Sequence, residues 1–150
     1  MTCPLPPNRL RGTTAPVQRD TVWVADITYV NTDEGFLYVA GVLDRCTRRC
    51  IGWAMGDGLA TPLPLAALDM ALAHRRPPAG LVHHSDRGSQ YASAAYRQRL
   101  AQAGLAAQTR RPHEPGDPVT SARLAVLLQP VLHAGAAVSL AAFPMRLLDE

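Results

Sequence analysis

The chain of 150 residues predicts an α/β fold, a mixed five-stranded sheet with helices on its faces. Three observations lead there. Three apolar, β-rich runs between Val22 and Met55 are joined by short polar loops, which makes an antiparallel meander over residues 22–55. From Thr61 the apolar spacing changes from two to three or four, the period of a helix. Two more short apolar runs each follow a helical stretch, so βαβαβ-type crossovers complete the sheet.

Residues 1–20 carry Pro4, Pro6, Pro7, Gly12 and Pro16 without periodicity and read as an extended lead-in. The first strand covers Val22–Val30. Asn31 to Gly35 is a polar loop whose glycine suits a positive φ, and Phe36–Leu43 is the antiparallel partner. Asp44–Arg49 turns the chain into a third strand, Cys50–Met55. Thr61 caps a helix with Pro62 at its first position; Leu65, Leu68 and Leu72 mark its apolar face, and Pro77-Pro78 ends it. Leu81–His84 is the fourth strand. A second helix spans Ala94–Ala103, capped by Ser93 and stopped by Gly104, with Tyr96 and Leu100 inward and Arg97 and Arg99 toward water. Leu105–Thr109 is a short fifth strand. A right-handed crossover places strand four beside strand one.

Charge divides the chain. Residues 1–112 hold thirteen arginines against eight acids, whereas residues 113–150 hold two against four, within a formal net charge of +3. The basic part is compatible with a polyanionic partner. Cys3, Cys46 and Cys50 lack the paired spacing of a zinc site and read as reduced thiols. No basic-then-apolar leader opens the sequence, and the longest apolar stretch, Val131–Phe143, is too short to span a bilayer. A cytoplasmic protein without a membrane partner is expected.

Asp26 is the residue that points to chemistry. It interrupts Val22-Trp23-Val24-Ala25-Asp26-Ile27-Thr28-Tyr29-Val30, a run otherwise suited to burial on both faces, where a lone carboxylate is costly unless a cation meets it. Asp86 follows the apolar strand Leu81–His84 and precedes Arg87-Gly88. Two carboxylates on neighbouring strands suggest a shared divalent metal. The plainer alternative makes each a turn residue. Asp44 is read as a turn cap or a partner of Arg48. His83 and His84 beside Asp86 raise the thought of zinc, but no matching cluster accompanies them, and a packed His83 with a site-flanking His84 is preferred.

Several blocks together carry a resemblance. Trp23-Val24-Ala25-Asp26-Ile27-Thr28-Tyr29, Gly35-Phe36-Leu37-Tyr38, Val42-Leu43-Asp44, Arg48-Arg49, Gly52-Trp53 and His84-Ser85-Asp86-Arg87-Gly88-Ser89-Gln90-Tyr91 resemble, in order and spacing, bacterial insertion-sequence transposases with a retroviral-integrase-like catalytic core. The resemblance covers about residues 20–112. It implies a ribonuclease H-like fold and a metal-dependent polynucleotidyl transferase with an Asp-Asp-Glu triad. Asp26 and Asp86 match the two aspartate positions as catalytic and metal-binding residues. Mg2+, or Mn2+ in its place, is the implied cofactor. DNA, as insertion-sequence ends and target, is the implied partner, with a second copy or a full-length transposase beside it. Arg87, Gln90, Tyr91, Arg48, Arg49, Arg110 and Arg111 are candidates for contact with nucleic acid. A solvated turn explains Arg48 and Arg49 equally well, and Gln90 and Tyr91 either face DNA or open the second helix.

The third acid does not match. The glutamate of the triad is expected near Ala122, where Val119-Thr120-Ser121-Ala122-Arg123-Leu124 holds no acid. Glu114 and Asp117 fall early, in a Pro/Gly loop ill-suited to holding a metal ligand. The resemblance also implies an N-terminal helix-turn-helix, for which no stretch before residue 20 has the pattern. The resulting division is a lead-in over 1–20, an incomplete integrase-like core over 21–112, and an unrecognised tail over 113–150 forming short helices or partly disordered. The expected function is a transposase core for DNA transposition, in a degraded copy truncated or frameshifted after about residue 112 and weakly active or inactive alone. The alternatives are a non-catalytic DNA- or transposase-binding remnant and a ribonuclease H-like nuclease.

Overall fold

A computed structural model describes residues 16–32, 35–58, 62–85 and 89–109. Its elements are β1 (Val22–Thr32), β2 (Gly35–Asp44), β3 (Cys50–Gly56), α1 (Pro62–Arg75), β4 (Val82–Ser85), α2 (Ser89–Ala92), α3 (Ala94–Gln102) and β5 (Ala106–Thr109). The strands form one sheet in the order β3-β2-β1-β4-β5. β2 is antiparallel to both β1 and β3; β4 is parallel to both β1 and β5. The sheet is thus mixed, with strand four beside strand one as the crossover rule requires.

Period two sorts the sheet into faces. Trp23 and Ala25 of β1, Ala40 and Val42 of β2, and Leu81 before β4 share one core with Leu63, Ala67, Leu68 and Ala71 of α1, Tyr91 of α2 and Tyr96 and Leu100 of α3. The described helices therefore cover this face. The opposite face carries Val24, Asp26 and Leu43, and a smaller cluster of Val39 with Leu37 and Met55. α1 lies so close to β3 that a Cβ on Gly52 would meet the backbone oxygen of Ala67 and the backbone nitrogen of Ala71. Glycine is the residue that permits this approach.

The buried stripe of α1 is Leu63, Pro64, Ala67, Leu68 and Ala71; of the expected leucines Leu68 lies within it, and Leu65 and Leu72 pack at its margin. Tight contact with Gly52 selects the alanines. Ser93 caps α3 as expected, its Oγ accepting the Tyr96 N–H at 3.2 Å, and Gly104 has φ of 72°. Residues 1–15, the Thr61 cap and the tail after Thr109 lie outside the described residues. Cys46 and Cys50 are free thiols, and burial pushes Cys50 up to about 11. Among the described residues no helix is long and apolar enough to cross a membrane.

Candidate active site

Asp26 lies in the interior of β1, opposite Gly41 of β2. Alternation turns it away from Ala25 and Ile27, onto the face opposite the described helices. Its carboxylate is half-buried, and Oδ1 accepts the Ile27 N–H at 2.9 Å. On its other flank β1 meets β4, with Trp23 level with His83, Val24 with His84 and Ala25 with Ser85. β5 continues the row, Thr109 standing level with Ser85. The carboxyl ends of the parallel strands β4 and β5 thus stop one step short of Asp26. In open α/β sheets such ends are where ligands bind. Asp86, Arg87 and Gly88 follow Ser85 in the chain and lie outside the described residues.

The two adjacent histidines separate across the sheet. His84 shares the face of Asp26, while His83 shares that of Trp23 and is fully buried. Residues next to each other in a strand cannot ligate one ion from the same side, which removes the geometric basis for a zinc pair. Burial holds His83 neutral, its pKa lowered to about 4. Its Nε2 lies 3.0 Å from the hydroxyl of Tyr96, whose own ionisation burial pushes far up. Among the described residues no three His, Cys, Asp or Glu side chains converge as metal ligands.

The nucleic-acid candidates disperse. Gln90 is half-buried on α2. Tyr91 is 4% exposed and its ring meets Tyr96 edge to face at 5.1 Å, so it packs in the core rather than presenting a face to DNA. Arg48 and Arg49 are exposed in the turn after β2, and Asp44 before that turn pairs with Trp23. They belong to the end of β1 where the strand begins, more than three residues, or about 10 Å, from Asp26. Arg110 and Arg111 follow Thr109 outside the described residues. Arg99, expected toward water, reaches Asp69 of α1 at 2.6 Å in an exposed ion pair.

Asp44 takes the first of its two expected roles, that of turn cap. It is fully buried and does not use the Arg48 side chain; Arg48 donates its backbone N–H to the Asp44 carbonyl at 2.7 Å. The carboxylate accepts from Thr47 Oγ1 at 2.9 Å and from the N–H groups of Cys46 and Asp20 at 3.3 Å each. Arg75, from the last turn of α1, approaches Asp44 to 4.0 Å and Asp20 to 3.7 Å. Asp20 in turn accepts the indole N–H of Trp23 at 3.1 Å. This brace ties the start of β1, the β2–β3 turn and the end of α1 together.

The profile of the family described as Integrase core domain matches residues 16–115. The chain is 52% identical over 102 residues to an "Insertion element IS600 uncharacterized 31 kDa protein" of Shigella sonnei, covering 68% of this chain and 38% of that protein. It is 52% identical over 90 residues to a "Transposase for insertion sequence element IS629" of the same organism, 60% of this chain and 30% of that one. It is 43% identical over 95 residues to a "Putative transposase for insertion sequence element IS986/IS6110" of Mycobacterium tuberculosis, 60% of this chain and 34% of that one. The matched part of the chain therefore spans 30% to 38% of the length of these curated relatives. Among solved structures, a simian T-cell lymphotropic virus intasome chain aligns with TM-score 0.71 at 15% identity, over 90% of this chain and 49% of that one. The HTLV-2 integrase catalytic core, solved in complex with magnesium, aligns with TM-score 0.69 at 12% identity, over 87% and 84%. These likenesses establish the fold as ribonuclease H-like. With the profile spanning two thirds of its length, and with insertion-sequence transposases among its relatives, this chain belongs to the Integrase core domain family.

Proposed function

We propose that the protein is the catalytic core of an insertion-sequence transposase, a core built for metal-dependent DNA cleavage and strand transfer, in a degraded copy that lacks the third acid and is inactive or nearly so alone. The observation that carries this reading is the register of β1 and β4. Ser85 pairs with Ala25, so the described part of β4 ends one step short of the level of Asp26, and Asp86 is the next residue in the sequence. The donors suit a hard divalent cation, since Asp26 is a half-buried carboxylate and Asp86 supplies a second. Asp26 and Asp86 would hold Mg2+ or Mn2+, which supplies activation of a water or 3′-hydroxyl and stabilisation of the leaving oxygen. The protein's own contribution is positional. The Ile27 N–H fixes one oxygen of Asp26, and the paired strand keeps its direction. Arg87, Arg110 and Arg111, next in the chain to the carboxyl ends of β4 and β5, are the basic residues best placed in sequence to meet the phosphate backbone. The same reading places the protein in the cytoplasm with the chromosome, and beside a second copy or a longer transposase.

The triad is incomplete in this reading, because no acid occupies the sequence around Ala122 and Glu114 and Asp117 lie in a Pro/Gly loop. A magnesium-dependent nicking and joining assay on linear DNA tests both parts. We expect Mn2+ binding that disappears in Asp26→Asn, with strand transfer near background. Robust transfer abolished by Asp26→Asn would show that another acid completes the site. A second reading, a DNA-binding remnant without catalysis, draws on the thirteen arginines of residues 1–112. Salt-dependent DNA binding without cleavage, unaffected by Asp26→Asn, would favour it.

A further inference from the structure

The antiparallel meander carries opposite chemistry at its two ends. At one end the helix-covered face of the sheet runs on past the described helices. Tyr29 continues the row of Trp23, Ala25 and Ile27 by period two, and its β2 partner Tyr38 packs against the core. Tyr29 and Phe36 are nevertheless 66% and 54% exposed. The three rings form one cluster: Tyr29 meets Phe36 edge to face at 5.4 Å, and Tyr38 stands 6.5 Å from each. The exposed Asp57 follows Gly56, the β3 partner of Tyr38. Residues 27–32 and 35–43 hold no charged side chain, and residues 50–58 hold Asp57 alone. At the other end Trp23 pairs with Asp44 and Leu43 with Cys50. The turn between β2 and β3 there presents Arg48 and Arg49, both exposed and neither in an ion pair among the described residues. The acids of that end, Asp20 and Asp44, already face Arg75.

We infer that the aromatic end docks the Arg48–Arg49 turn of a second copy, head to tail. The two surfaces are complementary on two counts. A guanidinium is planar and weakly hydrated, so it stacks on an aromatic face, whose quadrupole attracts a cation within about 6 Å. Asp57, at the border of the cluster, adds the opposite charge. DNA is the poorer occupant, because among the described residues no basic side chain flanks the rings and Asp57 repels phosphate. Pairing of two aromatic ends would bring like charges together. The contact is heterologous, so a pair keeps one free end on each side and takes up further copies. It gives a surface to the second copy of the proposed reading, and no residue of the Asp26 site takes part in it.

Sedimentation velocity of the full chain over a concentration series is the test. The parent should pass from monomer to species larger than a dimer, less readily as salt rises. Tyr29→Ser with Phe36→Ser removes the exposed rings, and Arg48→Glu with Arg49→Glu reverses the turn. All four side chains are exposed, and tryptophan fluorescence checks the fold. Each double variant alone should need roughly tenfold more protein to associate. Mixed in equal amounts, the two should form a dimer and stop there, since one intact aromatic end then meets one intact turn. Asp57→Arg leaves the rings in place and should weaken association too, which keeps the idea falsifiable where the ring variant fails to fold. A monomeric parent overturns the inference. So does association that survives the arginine or Asp57 change, or a mixture that stays monomeric. Weaker DNA binding by the ring variant with association unchanged also overturns it and makes nucleic acid the occupant. None of these outcomes touches the transposase reading, which stands or falls on Mn2+ binding at Asp26.

Discussion

Two aspartates on adjoining strands of this sheet have opposite surroundings. Asp44, at the end of β2, is fully buried and met by a hydroxyl, two backbone N–H groups and the Arg75 guanidinium. Asp26, in the interior of β1, is half-buried beside the carboxyl ends of the parallel strands, with Oδ1 on the Ile27 N–H. A strand carboxylate met by donors from three separate elements is a structural brace. One placed where parallel strands end stands where open α/β sheets bind ligands. Position in an apolar run does not distinguish them; burial and place along the sheet do.

The largest effect expected from breaking this contrast is at the brace. Asp44→Ala strands Arg75 and several donors beside a buried void, a loss of about 3–5 kcal/mol. Urea unfolding followed by tryptophan fluorescence reports it, since Trp23 is fully buried and hydrogen-bonded to the neighbouring Asp20. Asp44→Asn retains an acceptor for Thr47 and should lose less. A change under about 1 kcal/mol in Asp44→Ala would mean that the brace contributes nothing beyond solvation.

Acid is the next lever, and it acts at His83, which flanks Trp23 on β4 as Asp44 does on β2. The folded-state pKa of His83, about 4, lies below the ordinary value of 6.5. On acidification the unfolded chain therefore takes up the proton first. Stability from this group is complete above about pH 6.5 and is lost progressively as pH falls toward 4, about 3 kcal/mol in all at roughly 1.4 kcal/mol per unit. The double variant His83→Phe with Tyr96→Phe, which removes both members of the buried pair, should lose about one proton's worth of slope in that window. Equal slopes would place the acid sensitivity in the carboxylates alone.

Much of this layout was legible before any coordinates. The existence and order of β1, β2 and β3, the Ser93 cap and the Gly104 stop follow from local alternation and capping chemistry, whereas pairing carries β1 on to Thr32 and starts β2 at Gly35, into the stretch that reads as a loop. The adjacency of β4 and β1 follows from crossover handedness. What escaped depends on long-range contacts. Asp44 caps its turn, one of the two roles read for it, but it also finds Arg75 thirty-one positions along the chain, where the local sequence offered Arg48 as the cation. α2 is four residues long, too short for periodicity, which left Tyr91 looking like a surface residue when it packs against Tyr96. The His83–Tyr96 bond joins a strand to a helix thirteen residues on, and each residue alone reads as core. Gly52 was visible only as part of a motif; its reason, the backbone of α1 pressing on β3, is tertiary.

A third, smaller effect calibrates the brace. Arg99 and Asp69 join α3 to α1 at 2.6 Å, shorter than any contact of Asp44, yet both are substantially exposed. Asp69→Ala should cost no more than about 0.5 kcal/mol and should vanish into the baseline at high salt. A loss comparable to that in Asp44→Ala would show that distance, and not burial, sets the value of an ion pair in this fold.

The smallest change in stability is expected at Asp26 itself. Asp26→Asn keeps the amide-oxygen acceptor for Ile27 and removes one of two carboxylates whose charges the proposed site brings together. Metal-free stability should stay within about 0.5 kcal/mol of the parent or rise slightly, because like-charge repulsion is relieved. With Mn2+ the order reverses. The parent's midpoint should climb with metal concentration by mass action, while that of Asp26→Asn stays flat. Asp44→Asn supplies the mirror image, a lower midpoint that still climbs with metal. If Asp26→Asn instead destabilised the metal-free protein as strongly as Asp44→Ala, Asp26 would be a second brace. The register that brings β4 to its side would then serve packing alone.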